Sequence, residues 1–255
     1  MKRQVDVFLN GVSLSAVSNK IIAVRVVESP AQDETTFETL SHMPGQTLIH
    51  KKRTALNLSI FLKIRELYDL STRAGVINAV NAWAAQGGEL TVNYRPDTAI
   101  QVALLQPAST NDIRSYADEI ELKFVSDGSP YWKNMYPNAS QLIGSAISSR
   151  FTVDGNAPTF VDAAIYFVQG GSYFEITVGK TRMRVEDVGF AGGSYVTIRH
   201  SDNGIAEILK NGESVLFALN DDSSDVLVSP GGVTPVAITT DGDVEVTLTA
   251  LGRWL

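Results

Sequence analysis

Thr54-Ala55-Leu56-Asn57-Leu58-Ser59-Ile60-Phe61-Leu62 is the stretch that decides the fold class. Leu56, Leu58, Ile60 and Leu62 alternate with Asn57, Ser59 and Phe61, the period-two pattern of a strand with one face in a core. The period then changes. Leu67, Leu70, Ala74, Ile77, Val80 and Ala84 recur at three and four residues, which predicts one amphipathic helix over about Tyr68 to Gln86, with Trp83 near its stripe and Gly87-Gly88 as its stop. Such a helix needs a sheet to lie on.

Alternation returns further along. Ile120, Leu122 and Phe124 alternate with Glu119, Glu121 and Lys123, and Val244, Val246 and Leu248 alternate with Glu245, Thr247 and Thr249. Asn10-Gly11, Asp127-Gly128, Asp154-Gly155, Asn203-Gly204, Asn211-Gly212 and Asp241-Gly242 supply residue pairs suited to hairpin turns. The chain is therefore expected to be mainly β.

Composition changes between Ser126 and Ser149. Pro130-Tyr131-Trp132 and Tyr136-Pro137 lead into a polar stretch, and beyond it the chain is rich in Gly and Asp with no helical period. This predicts two domains: 1–135, a β-sandwich or barrel-like domain with one helix, and 136–255, an all-β sandwich. The charge divides in the same way. Residues 1–135 carry 14 basic and 14 acidic side chains, whereas 136–255 carry 7 and 14, so the whole net charge of −7 lies in the second part. An acidic second half disfavours contact with a phosphate backbone. Gly170-Gly171-Ser172-Tyr173 and Gly192-Gly193-Ser194-Tyr195 form a small duplication, two similar glycine turns leading into aromatic-led strands.

From Glu28 to Arg53 periodicity is weak, and Pro30 and Pro44 interrupt the stretch. The expectation is a long irregular loop, a length that often carries function. Glu28, Phe37, His42, His50, Lys51, Lys52 and Arg53 are its candidate contact residues toward a neighbouring subunit. For the basic triplet Lys51-Lys52-Arg53 a solvated strand edge is an equal alternative.

Chemical motifs are sparse. With no cysteine, thiolate chemistry and disulfides are excluded. Gly179-Lys180-Thr181 lacks the earlier glycine of a phosphate loop, since Phe174 stands there. His42, His50 and His200 show no metal-ligand spacing, and no Gly-x-Ser-x-Gly elbow occurs. Asp221, Asp222 and Asp225, and the Asp241-Gly242-Asp243 turn, lack the residue order of a calcium loop. Hence no catalytic, metal or cofactor residue is expected. Tyr173 and Tyr195 could stack on sugar rings, although core packing is the favoured role for both. Asp6 and Asn10 interrupt the apolar run that a signal peptide would need after Met1-Lys2-Arg3, and no stretch approaches a membrane span. Synthesis in the cytoplasm is the expectation.

The order of elements resembles a family. A strand with a turn from Val5 to Leu14, the long loop, the strand ending at Leu62, the helix, Gly88-Glu89-Leu90-Thr91-Val92-Asn93-Tyr94-Arg95-Pro96-Asp97, a strand over Ile100 to Leu105, and one closing on Phe124 and Pro130-Tyr131-Trp132 are similar to the first domain of distal tail proteins of long-tailed, non-contractile bacteriophages. Val153-Asp154-Gly155-Asn156-Ala157-Pro158-Thr159 resembles the opening of that family's galectin-like sandwich. The resemblance implies a tail-tip or baseplate structural protein rather than an enzyme. It implies a ring of six copies joining the tail tube protein to the tail-tip hub protein, with a receptor-binding protein as a further partner, at the distal end of the virion tail. It implies no cofactor. It also implies that the final residues, Leu251-Gly252-Arg253-Trp254-Leu255, can return to the first domain. A carbohydrate-binding module acting through the second domain is the alternative reading.

Overall fold

The computed structural model describes residues 5–29, 31–38, 47–64, 70–109, 119–202 and 204–255, with backbone alone for 37–38, 47–52, 70 and 187. The chain folds as two compact units, Met1–Trp132 and Lys133–Leu255.

The first unit contains β1 (Val7–Leu9), β2 (Val12–Ser13), helix α1 (Leu14–Val17), β3 (Ile21–Ser29), β4 (Asp33–Glu38), β5 (Thr47–Arg53) and β6 (Asn57–Ile64). Helix α2 (Leu70–Ala84), β7 (Gly88–Val92), β8 (Arg95–Gln106) and β9 (Ile120–Ser126) follow, and β10 (Trp132–Asn134) begins on the last residue of the unit. The main sheet runs β2-β1-β7-β8-β9-β6-β3 and is antiparallel throughout its printed pairings. It curls, because Val5, just before β1, bridges Ala23 on β3 at the opposite end. Leu58, Ile60 and Leu62 are fully buried, as are Leu122 and Phe124 of the neighbouring β9, so the alternation of both strands points into one core.

Helix α2 covers that core with Val76, Ile77, Val80, Trp83 and Ala84. The Trp83 indole N–H donates to the Val12 carbonyl at 3.1 Å, and both sides of the Asn81 amide bond the backbone of Ala108. The start of the expected helix, 65–69, lies outside the described residues. Sequence reading foresaw one helix and missed α1. This helix is a single turn, capped by Ser13, whose hydroxyl accepts from the Ala16 N–H at 3.2 Å; a turn this short leaves no period to read.

Among its described residues the second unit is all-β apart from a 3-10 turn at Leu216–Ala218. Its strands are β11 (Asn138–Val153), β12 (Thr159–Phe160), β13 (Asp162–Phe167), β14 (Gly171–Val178), β15 (Thr181–Phe190), β16 (Tyr195–His200), β17 (Ala206–Lys210), β18 (Glu213–Ser214), β19 (Val228–Ser229), β20 (Gly232–Ala250) and β21 (Arg253–Trp254). The long strand β20 organises them. Its first half pairs with β14, its second half with β13, and β11 runs beside both. Phe167, Phe174 and Phe190, from β13, β14 and β15, meet in one core, with Phe167 and Phe190 stacked at 4.5 Å.

Asp241-Gly242 was expected to turn a hairpin. Instead β20 continues through it, and the pair marks the corner where the strand changes partners. Glycine is required there by close approach and not by a left-handed backbone. A Cβ on Gly242 would stand 2.5 Å from the Gln169 carbonyl oxygen and 2.7 Å from that of Gly170. The Asp241 carboxylate accepts from the Ser172 N–H at 2.8 Å and the Ser172 hydroxyl at 2.7 Å. These bonds hold the Asp241 carboxyl below the usual carboxylate range, so the first glycine repeat serves the corner.

The chain end docks within the second unit. The Trp254 indole N–H donates to Asn134 Oδ1 at 2.7 Å, and Asn134 N–H donates to the Gly252 carbonyl at 2.8 Å. Leu255 N–H reaches Asn156 Oδ1 at 2.8 Å.

Candidate assembly arm and its anchor

Among the described residues of the segment expected to be an irregular loop, two strands pair as the arms of a β-hairpin. Strands β4 and β5 form a two-stranded sheet of their own. Asp33 stands opposite Arg53, Glu34 opposite Lys52 and Thr35 opposite Lys51, so an acidic strand faces a basic one. Register shifts by a bulge between Thr36 and Phe37, after which Phe37 stands opposite Leu48. The basic triplet is thereby a strand segment whose partner strand carries the opposite charge, and Arg53 Nη1 lies 4.0 Å from Asp33 Oδ1. Sequence periodicity did not reveal the hairpin because alternation reports a face packed on a core, and Gln32 to Thr36 are exposed.

A clasp between Gln32 and Thr54 closes the base of the hairpin. Thr54 N–H donates to the Gln32 carbonyl at 2.8 Å, and Gln32 N–H donates to Thr54 Oγ1 at 2.9 Å. Below the clasp lies Glu28, near the end of β3. Its carboxylate accepts from Arg95 Nη2 at 3.0 Å, from the indole N–H of the fully buried Trp132 at 3.2 Å, and from the Tyr94 hydroxyl at 3.4 Å. The Arg95 guanidinium also lies over the Trp132 ring, 5.2 Å from its centroid. Partial burial, followed by the Glu28 charge, pushes the Tyr94 hydroxyl up to about 12.

The seven candidate arm residues therefore separate. Glu28 is an anchor that binds its own unit. Arg53 sits at the hairpin base, close to the ring of Tyr131 at 5.4 Å. Phe37, His50, Lys51 and Lys52 lie on the hairpin backbone, and His42 lies outside the described residues. The three residues that hold Glu28 come from 66 to 104 positions away, which no local motif signals.

The two candidate sugar-stacking tyrosines are not brought together, and the favoured core role is corrected for both. Tyr173 is half-buried beneath the Arg184 guanidinium, 4.3 Å from the ring centroid. Tyr195 is 45% exposed and stands opposite Tyr166, itself 43% exposed, on the outer face of the sandwich. Strand alternation explains this, because Val196 and Ile198 take the inward positions of β16. His200 is buried in its side chain. Its Nδ1 faces Asp162 Oδ1 at 3.0 Å and its Nε2 accepts from Leu227 N–H at 3.1 Å, which fixes the Nδ1–H tautomer. Gly179-Lys180-Thr181 is the β14–β15 hairpin turn, with Gly179 at φ 59°. No group of three or more acidic or imidazole side chains converges among the described residues.

No protein-family profile matches the chain, and no curated protein matches it in sequence. Solved structures do match. The crystal structure of the Dit (gp 19.1) protein of phage SPP1, described as a paradigm of the hub adsorption apparatus in phages infecting Gram-positive bacteria, aligns with a TM-score of 0.69 at 13% identity, covering 99% of this chain and 100% of that one. A chain of the phage P2 baseplate, in its activated conformation with Ca, aligns over 98% of each chain at 8% identity, but its TM-score of 0.39 carries no argument. Over essentially its whole length the chain has the fold of the SPP1 Dit protein, the fold that the order of its strands and helix leads one to expect.

Proposed function

We propose that the chain is a structural protein of a phage tail tip or baseplate, forming a hexameric ring at the distal end of the tail. The observation that carries this reading is the end-to-end likeness to SPP1 Dit, with neither chain exceeding the other by a domain. In this reading the ring joins the tail tube protein to the tail-tip hub protein, and a receptor-binding protein is a further neighbour. The chain works by assembling and performs no catalytic step.

The hairpin β4–β5 supports the reading. A ring subunit needs a rigid framework and an element that reaches the next copy. The hairpin is anchored at its base by the Gln32–Thr54 clasp and the Glu28 cluster, yet pairs with no other described strand. It is the candidate intersubunit element, with Phe37, His50, Lys51 and Lys52 on it.

A shortened arm tests the proposal. Joining Asp33 to Arg53 through Asn-Gly keeps the clasp and supplies a two-residue type I′ turn. The shortened protein is expected to fold and to sediment as a monomer under conditions in which the full chain forms hexamers. A shortened protein that still sediments as a hexamer would remove the arm from the interface.

A further inference from the structure

Among the described residues the large sheet of the second unit ends on β15, on β18 and on β11, and these edges differ. Strand β15 is covered. Asn220 N–H donates to the Arg184 carbonyl at 2.9 Å and Ser224 N–H to the Arg182 carbonyl at 2.6 Å. The Ser223 and Ser224 hydroxyls accept from the N–H groups of Arg184 and Arg182. Strand β18 is only 2 residues long. Strand β11 is 16 residues long and pairs, among the described residues, with β20 alone.

Antiparallel pairing turns every second N–H and C=O of β11 away from β20. Among the described residues, the backbone of 139–153 makes no bond beyond that ladder. Exposed edges are ordinarily blunted by proline, by lysine, by shortness or by a covering segment. The stretch 139–153 contains no proline and no lysine, and Arg150 is its one charged residue. A bulge between Gly144 and Ala146 interrupts it, which leaves 146–153 as an unbroken run.

We propose that the free edge of 146–153 is a strand-addition site, which takes an extended segment of another protein as a further strand of the sheet. Main-chain bonds hold such a segment, and side chains select it. Ile147 packs against the core yet is only partly buried, whereas Phe151 and Val153 on the same face are covered. Apolar residues at alternate positions of the added strand complete the cover over Ile147. Arg150 lies on the solvent face, is exposed, stands opposite Pro235 and has no ion pair among the described residues. An acidic side chain opposite it on the added strand supplies the missing partner. The segment recognised is therefore extended, apolar at alternate positions, and carries Asp or Glu on its other face.

A second copy of β11 fits this edge less well. Antiparallel pairing over the full strand sets the two bulges against each other, and pairing centred on Arg150 sets two like charges together. The site does not depend on ring formation, since the edge belongs to one copy.

The test is a displayed library of linear peptides panned on the full chain, followed by hydrogen exchange read by mass spectrometry with the enriched peptides. Those peptides are expected to alternate apolar and polar residues and to carry an acid. In the free chain about half of the amides of 146–153 exchange rapidly, and bound peptide slows them at least about tenfold. Arg150→Glu weakens binding at least about threefold, and Tyr195→Ala leaves it unchanged. Ser148 and Ser149 alternate in direction, so the N–H of one of them points to the free edge. Of Ser148→Pro and Ser149→Pro, the variant that stays folded by circular dichroism loses the peptide. If neither folds, the exchange pattern and Arg150→Glu decide. A library that yields no binder, peptides that protect other segments, binding indifferent to Arg150→Glu, or amides of 146–153 already slow in the free chain overturns the proposal and leaves the ring reading standing.

Discussion

Replacing Glu28 with alanine removes the acceptor shared by Arg95, Trp132 and Tyr94. The largest part of the cost comes from Trp132. Its residue is fully buried, so its indole N–H would be left without an acceptor, a loss of about 1–3 kcal/mol. The Arg95 ion pair is partly exposed, with side-chain exposures of 30% and 21%, and contributes about 0.5–1 kcal/mol after screening. The Tyr94 bond is long at 3.4 Å and adds little. Glu28→Ala is therefore expected to cost about 1.5–4 kcal/mol. Glu28→Gln keeps an oxygen for the indole and loses only the charge, so about 1 kcal/mol is expected. Urea unfolding followed by tryptophan fluorescence reads the difference, with Trp83 and Trp132 reporting on the first unit and Trp254 on the second. Equal losses for Ala and Gln, or an alanine variant as stable as wild type, would refute the account of Glu28 as the anchor that satisfies a buried indole.

Three further outcomes follow from the geometry. Tyr94 is expected to ionise near pH 12 against 10.0 for an unperturbed phenol, read as the component missing from the 295 nm absorbance titration of Tyr94→Phe. Because folding raises this pKa, the stability it contributes is intact below pH 10 and falls as pH rises toward 12; Glu28→Gln narrows that window. Gly242→Ala forces a methyl against two carbonyl oxygens at the β20 corner and is expected to cost about 1–3 kcal/mol or to abolish folding of the second unit, measured by chemical denaturation. Gly75→Ala, on α2 with open space around its Cα, should instead stabilise the first unit by about 0.5–1 kcal/mol.

The parts of the fold legible in the sequence are those where packing imposes a period. Leu58, Ile60 and Leu62, and Val244, Val246 and Leu248, alternate because every second side chain enters a core. Asn10-Gly11 turns a hairpin because both residues take positive φ, 51° and 77°. Legibility ends where another force decides. The arm sets Asp33 and Glu34 opposite Arg53 and Lys52, and its described side chains from Gln32 to Thr36 are exposed, so no core-facing period marks it. Gly242 is fixed by the Gln169 and Gly170 carbonyls of the β13–β14 connection rather than by its own φ. Glu28 reads as one acid in a polar segment until Tyr94, Arg95 and Trp132 are folded around it. Tyr195 leads a strand after a glycine turn, and only the phase of Val196 and Ile198 shows that it faces outward.

Electron microscopy of the purified full chain, with its mass in solution, tests the central claim most directly. The account predicts a closed ring with six-fold symmetry, a central channel and six times the 27.6 kDa mass of one chain. A closed two-fold dimer, or a chain that stays monomeric at every concentration reached, would contradict it.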